Sequence, residues 1–167
     1  MTHYTRFETH LCEIIVAGDA SGITHLHLNT GEGKRQFAID PSWSQSATAL
    51  SEACLQIREY MEGKRTRFTL PLNPMGTEFQ KRVWNELSRI PFGGLRSYKE
   101  IAEALGKPGA SRAVGSANGK NPIPLIIPCH RVIAANGRLA GFAHGLTIKR
   151  QLIDHEKGCM PCFILKG

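Results

Sequence analysis

The stretch Asn121-Pro122-Ile123-Pro124-Leu125-Ile126-Ile127-Pro128-Cys129-His130-Arg131-Val132 is apolar enough for a buried strand, yet it cannot be an ordinary central strand. Prolines at 122, 124 and 128 each fix φ and remove an amide donor that a sheet ladder would need. The segment reads instead as a rigid support for one thiol, with a histidine beside it. A thiolate is the nucleophilic form of cysteine, and an unaided thiol is ionised only to a few per cent near neutral pH, so a neighbouring base is expected. His130 is the nearest candidate. In extended chain, adjacent side chains point to opposite faces, so a bridging water between Cys129 and His130 is expected rather than direct contact.

Working outward, the preceding part is helical. Thr77 with Gln80 and Ser97 with Glu100 have capping-box spacing, which predicts helices near 77–89 and 97–106. Pro108-Gly109 ends the second, and a third short helix is predicted from Ala110 to about Asn118. Helix, tight turn, helix is the layout of a helix-turn-helix, although any α-hairpin shares it. In the third helix Gly109, Ala110, Ser111, Ala113, Gly115, Ser116, Ala117 and Gly119 are small, and Arg112 and Val114 stand out. So thin a surface suits either tight packing on a neighbouring helix or entry into a narrow groove with one arginine projecting. Downstream, a terminal helix is predicted near 147–156. Glu156 follows Leu152 by four and Ile153 by three, beside the apolar stripe. It is either a surface acid at the helix edge or the partner that orients His130, since a buried unpaired charge is costly.

The first part of the chain differs in pattern. Ile14-Ile15-Val16-Ala17 precedes Gly18-Asp19, and Ile23-Thr24-His25-Leu26-His27-Leu28 alternates as a half-buried strand requires. Further strands are expected at Arg35–Ile39 and Arg67–Leu72, with an amphipathic helix between Ser46 and Gly63 on Ala49, Ala53, Leu55, Ile57, Tyr60 and Met61. Asn73-Pro74-Met75-Gly76 breaks the pattern, so residues 1–73 and 74–167 are expected as two units, a small α/β domain and a mostly helical one, together an α+β fold.

Composition narrows the partner. The 167-residue chain is 41% hydrophobic and carries a net charge of +7. Residues 1–96 hold 11 Lys/Arg against 10 Asp/Glu, and residues 97–167 hold 10 against 4, so the surplus is C-terminal. A polyanion, nucleic acid before membrane, is the expected partner. No apolar stretch approaches the roughly 18 residues a bilayer crossing needs, and the opening MTHYTRFETH lacks an apolar signal region, so a cytoplasmic protein is expected. A monomer is expected as well. Five cysteines in no framework argue for reduced thiols. His25, His27 and Cys12 are expected to be ordinary residues rather than a metal site, and Cys159-Met160-Pro161-Cys162 a tail without a role; no metal or other cofactor is expected.

Residues 74–157 closely resemble the catalytic domain of the O6-alkylguanine-DNA alkyltransferases, and the overall size resembles the stand-alone bacterial members. The match rests on Thr77-Glu78-Phe79-Gln80, Val83-Trp84, Ile90-Pro91, Ser97-Tyr98, Ala113-Val114-Gly115, Asn118-Gly119, Asn121-Pro122 and above all Ile127-Pro128-Cys129-His130-Arg131-Val132. The N-terminal part resembles the family's small α/β domain in outline. The resemblance implies a ribonuclease-H-like N-terminal domain and a helix-turn-helix, winged-helix catalytic domain. It implies transfer of an alkyl group from O6-alkylguanine, and from O4-alkylthymine, in double-stranded DNA onto Cys129, irreversibly. By the same resemblance His130 acts through a water, Glu156 orients it, and Asn121 braces the turn. Arg112 fills the space of the extruded nucleotide, and Tyr98 helps rotate the phosphate and bonds the guanine ring. Ala113, Gly115, Ser116 and Arg131 are expected to meet DNA. The Val132 carbonyl reads the guanine amino group, and Phe142, Ala143 and His144 cap its pocket. Phe142 stands where the family commonly has tyrosine, and Ala143-His144-Gly145 where it has a glycine-rich stretch, changes that bear on the alkyl groups accepted.

Other classes fit less well. A Cys-His hydrolase would need an oxyanion hole and leaves Arg112 and the basic half without a role. A transcription factor leaves the braced cysteine unexplained, and the non-enzymatic alkyltransferase-like proteins lack the acceptor cysteine.

Overall fold

A computed structural model describes residues 1–33, 36–139 and 141–158. Its N-terminal half is built on a four-stranded sheet of order β3-β2-β1-β4, with β1 at His3–Glu8, β2 at Glu13–Asp19, β3 at Gly22–Asn29 and β4 at Ser44–Gln45. Strands β1, β2 and β3 pair antiparallel, and β4 lies parallel to β1. The run Ile14–Ala17 is buried throughout, as befits a central strand, whereas β3 alternates, burying Leu26 and Leu28 while His25 and His27 stay partly open. Helix α1 (Ser51–Met61) buries Ala53, Ile57, Tyr60 and Met61, spaced by four, three and one, which is one helical face.

Two expected strands are corrected. Residues 36–39 of the proposed Arg35–Ile39 strand have no strand geometry, and Arg35 lies outside the described residues. Arg67–Leu72 contributes a single bridge, Leu72 to Ile23. Pro71 lacks a donor, so the chain meets β3 through the carbonyl of Pro71 and the amide of Asn73 instead of a ladder. Strands β1 and β4 were not expected. In β1 only Thr5 and Phe7 are buried, too few apolar positions to stand out in a polar opening. Helix α1 starts at Ser51 rather than Ser46 because Ala47–Leu50 form turns.

The second half is helical: α2 (Glu78–Leu87), α3 (Tyr98–Ala104), α4 (Ser111–Gly119) and α5 (Leu146–Glu156), with short parallel strands β5 (Arg96–Ser97) and β6 (Val132–Ile133). Both capping boxes form: Thr77 and Gln80 close α2, and Ser97 and Glu100 close α3. Helices α3 and α4, joined across Lys107–Gly109, have the expected helix-turn-helix order. The apolar core is continuous, running from Ile14, Val16 and Ile57 through Trp84, Ile101 and Val114 to Ile123, Leu125 and Leu152. The Leu26 amide of β3 also donates to the Pro122 carbonyl at 2.9 Å, docking the proline-rich segment on the sheet.

Trp84 ties α2 to α4, donating its buried indole N–H to the Ala117 carbonyl at 2.9 Å. Trp84→Phe removes that donor, leaving the Ala117 carbonyl only the Lys120 amide at 3.2 Å, and underfills the site, so stability falls by about 2 kcal/mol, read from urea midpoints at constant m.

Candidate functional site

The proline-rich segment folds back on itself rather than extending. The Ile127 amide donates to Ile123 O at 2.9 Å, and Leu125 at the bend has φ of 77°, the only left-handed non-glycine among the described residues. Asn121 holds both arms: its Oδ1 accepts from the Ile123 amide at 2.9 Å and its Nδ2 donates to Ile127 O at 2.8 Å. Pro128 then leads into a 3-10 turn, Cys129–Arg131. Because that turn is not extended, Cys129, His130 and Arg131 leave the backbone in different directions, and all three are buried. Asn118 of α4 donates to the Cys129 carbonyl at 3.4 Å.

Cys129 lines a cavity of about 500 Å³ together with Tyr98, Gly115, Asn118, Asn121 and the loop 141–146. Two of its other walls, Glu32 and Gly33, come from the N-terminal half. The thiol is thus shielded by protein yet open to one chamber. Tyr98, first residue of α3, is half-buried there; burial raises its phenol above the usual value, and the nearby Cys129 adds to the effect. It therefore stays a donor.

Behind Cys129 lies a buried carboxylate. Glu156 accepts five hydrogen bonds: from His130 Nε2 at 2.7 Å, Tyr60 Oη at 2.6 Å, Arg131 Nε at 2.7 Å, Arg131 Nη2 at 2.9 Å and the Gly93 amide at 3.2 Å. Burial alone would favour its neutral acid, but the bonds and charges from His130 and Arg131 prevail and hold it well below the usual carboxylate range. His130 has no exposed surface, and burial lowers it below the ordinary histidine value against the pull of Glu156. The consistent assignment is an anionic Glu156 neutralised by Arg131, with a neutral His130. With Glu156 accepting at Nε2, that nitrogen carries the hydrogen. Nδ1, buried with no hydrogen-bond partner in the protein, keeps its lone pair.

One sequence expectation changes here, and a second acquires another partner. Arg131, expected at the DNA surface, turns inward, where its guanidinium grips Glu156 and donates through Nη1 to Ile90 O at 2.6 Å. Val132 is fully buried, and its carbonyl receives Lys149 Nζ at 2.6 Å. Arg112, Ala113 and Ser116 are exposed on α4, and Gly115 on the same helix borders the cavity beside Tyr98. Phe142, Ala143 and His144 roof the cavity. Among the described residues no three or more His, Cys, Asp or Glu are grouped to hold a metal; His25 and His27 instead lie against Phe37. Cys159 and Cys162 lie outside the described residues.

Comparison with known proteins adds a second line of evidence. The family model described as "6-O-methylguanine DNA methyltransferase, ribonuclease-like domain" matches residues 2–74, and that described as "6-O-methylguanine DNA methyltransferase, DNA binding domain" matches residues 78–158. The methylated-DNA–protein-cysteine methyltransferase of Methanosarcina acetivorans is 46% identical over 94% of this chain and 99% of its own. The chain belongs to this methyltransferase family. The constitutive enzyme of that name from Bacillus subtilis is 43% identical over 94% of this chain and 96% of its own. The crystal structure of Mycobacterium tuberculosis OGT in complex with DNA superposes with a TM-score of 0.86 at 41% identity, covering 94% of each chain.

Three residues of the methyltransferase site escaped sequence reasoning. In the sequence Tyr60 reads only as part of an apolar stripe, although a buried phenol needs a partner. Lys149 is fully buried; it lies seven residues before Glu156, two helical turns, on the same face as Leu152, and that spacing is a usable signal. Burial lowers it to about 8, and electrostatic attraction to the Cys129 sulfur opposes the shift. Asn118 carried no signal apart from the motif.

The depressed Glu156 stabilises the fold above the ordinary carboxylate range, and this contribution is lost as pH falls towards its folded value. Glu156→Gln leaves Arg131 buried without its counter-charge, so about 3 kcal/mol is lost at pH 7. In urea titrations, the gap between wild type and variant narrows as acidification proceeds below the ordinary carboxylate range.

Proposed function

We propose that this chain repairs DNA by moving the alkyl group of O6-alkylguanine onto Cys129, once per molecule. It is a methylated-DNA–protein-cysteine S-methyltransferase acting on double-stranded DNA. The observation that carries this reading is a buried cysteine, open to one base-sized chamber, backed by a neutral histidine on an anionic carboxylate. O6 of a stacked guanine is out of reach of a buried thiol, so the nucleotide must leave the duplex. Helix α4 supports that step: its exposed face is made of small residues, and Arg112 projects where it can occupy the vacated space. The C-terminal charge surplus supplies contacts to phosphate without regard to sequence.

The thiol proton passes through a water to Nδ1 of His130, which Glu156 holds in the Nε2–H form. The sulfur attacks the alkyl carbon in line, a carbon–sulfur bond forms, and the carbon–oxygen bond breaks. Its electrons move into the guanine ring, which takes a proton from Tyr98, and the proton held by His130 returns through water to the Tyr98 phenolate. Ala143 presents its backbone amide to the oxygen. The lesion is the only alkyl donor, and the thioether is not readily broken, so the protein is consumed. Arg131 is a positioning residue in this scheme, fixing Glu156 rather than touching DNA. Lys149 competes for the Val132 carbonyl, so recognition of the guanine amino group there requires that carbonyl to serve both partners through its two lone pairs.

The same reading extends to O4-alkylthymine and to action in the cytoplasm; no helix among the described residues is long and apolar enough to cross a membrane. It takes the N-terminal unit, residues 1–73, as ribonuclease-H-like, a view supported by β4 lying parallel beside β1 in an otherwise antiparallel sheet. It takes residues 74–167 as a winged-helix unit, supported by α3, α4 and the β5–β6 pair.

Intact-protein mass spectrometry after incubation with duplex O6-methylguanine is expected to show a gain of about 14 Da on the Cys129 peptide, as methyl replaces the thiol hydrogen. Unmodified Cys129 alongside unrepaired duplex defeats the proposal. Arg112→Ala is expected to lose repair of duplex by about a hundredfold while reacting with free O6-benzylguanine within about twofold of wild type. Equal losses on both substrates remove Arg112 from its role.

A further inference from the structure

The cavity roof is fastened to the N-terminal sheet. The Thr30 hydroxyl, just past the end of β3, lies 2.7 Å from the carbonyl oxygen of His144 and donates to it. The His144 imidazole is buried, with its ring centre 5.2 Å from that of His27 on β3 and 5.6 Å from that of Phe142. Gly33 has φ of 85°, and a Cβ there would stand 2.5 Å from Ala143 O and 2.6 Å from the carbonyl carbon of His144. Backbone therefore meets backbone, which only glycine permits at that spacing and conformation. Glu32 and Gly33 also face the same chamber as Cys129.

We propose that the Thr30–Gly33 loop is a specificity-determining element that holds the roof at a fixed height over Cys129, so that small alkyl groups are transferred in preference to bulky ones. The proposal rests on the reading of Cys129 as alkyl acceptor. Its physical basis is that in-line attack tolerates little misplacement of the reacting carbon. A methyl group makes few contacts of its own, so the roof must hold the base in place. A benzyl group needs more room than a methyl, which a fixed roof restricts, and a loosened roof supplies that room while relaxing its grip on the methylated base. His144 adds a ring contact to His27 of the sheet, a further fastening of the roof.

The test compares single-turnover rates on two duplexes that differ only in carrying O6-methylguanine or O6-benzylguanine. Thr30→Val, which keeps shape and loses the hydroxyl, and Gly33→Ala, which pushes the two backbones apart, are expected to raise the benzyl-to-methyl rate ratio about fivefold. Thr30→Ser, which keeps the hydroxyl, is expected to retain the wild-type ratio. A fall in folded fraction scales both rates alike and leaves the ratio unmoved, so a variant that merely unfolds does not imitate the effect. His144→Gly provides a second route to a loosened roof with the same expected direction. A ratio unchanged in Thr30→Val, Gly33→Ala and His144→Gly overturns the proposal while leaving Cys129 as acceptor. Failure of the wild-type protein to react with either duplex overturns the acceptor reading itself, and this proposal with it.

Discussion

A single buried carboxylate organises this molecule. Glu156 comes from the last described helix, and its five hydrogen bonds reach helix α1 through Tyr60, the loop after α2 through Gly93, and the 3-10 turn through His130 and Arg131. Removing a carboxylate from water is costly, and the cost is offset only where donors and an opposite charge converge on it. Each of those elements is therefore held in place by the same requirement. Because a lone pair on Glu156 is committed to Nε2 of His130, the histidine is left with its second nitrogen basic. Electrostatics of packing thus set the protonation state that the proposed chemistry uses.

The inward turn of Arg131 follows from the same balance. A neutral histidine cannot neutralise Glu156, so a permanent cation must, and a guanidinium offers two parallel donors with geometry matched to a carboxylate. With Arg131 so occupied, the surface presented by α4 relies on Arg112 and on small side chains that keep the helix thin. The N-terminal half is likewise more than a neighbour. It supplies Tyr60 to the carboxylate, Glu32 and Gly33 to the cavity wall, and the β3 amide of Leu26 that docks the proline-rich segment.

Much of the site was legible because its features are local. Three prolines around one cysteine exclude a ladder strand, and two capping boxes mark helix starts within a residue of where α2 and α3 begin. The position of Glu156 beside Leu152 and Ile153 left open a surface acid or a buried partner of His130, and the structure takes the second. Other features depend on tertiary contacts that no short window contains. Tyr60 lies 96 residues from Glu156, and its role exists only once α1 packs against α5. Arg131 next to a nucleophile reads as a DNA contact until the turn at Cys129–Arg131 points it inward. In the sheet, Arg67–Leu72 has the composition of a strand, but Pro71 deprives it of a donor, and β1 hides its two buried residues among polar ones. The alternation of His25 and His27 marked the face that later meets His144, without showing what would cover it.

The most direct test of this account is the state of His130, observed by long-range proton–nitrogen NMR on protein labelled with nitrogen-15 at histidine. The arrangement predicts hydrogen on Nε2 alone at neutral pH, an unprotonated Nδ1, and titration below the ordinary histidine range because burial outweighs the pull of Glu156. A resonance pattern showing hydrogen on Nδ1, or a doubly protonated ring at neutral pH, would contradict it, since His130 could then no longer receive the thiol proton.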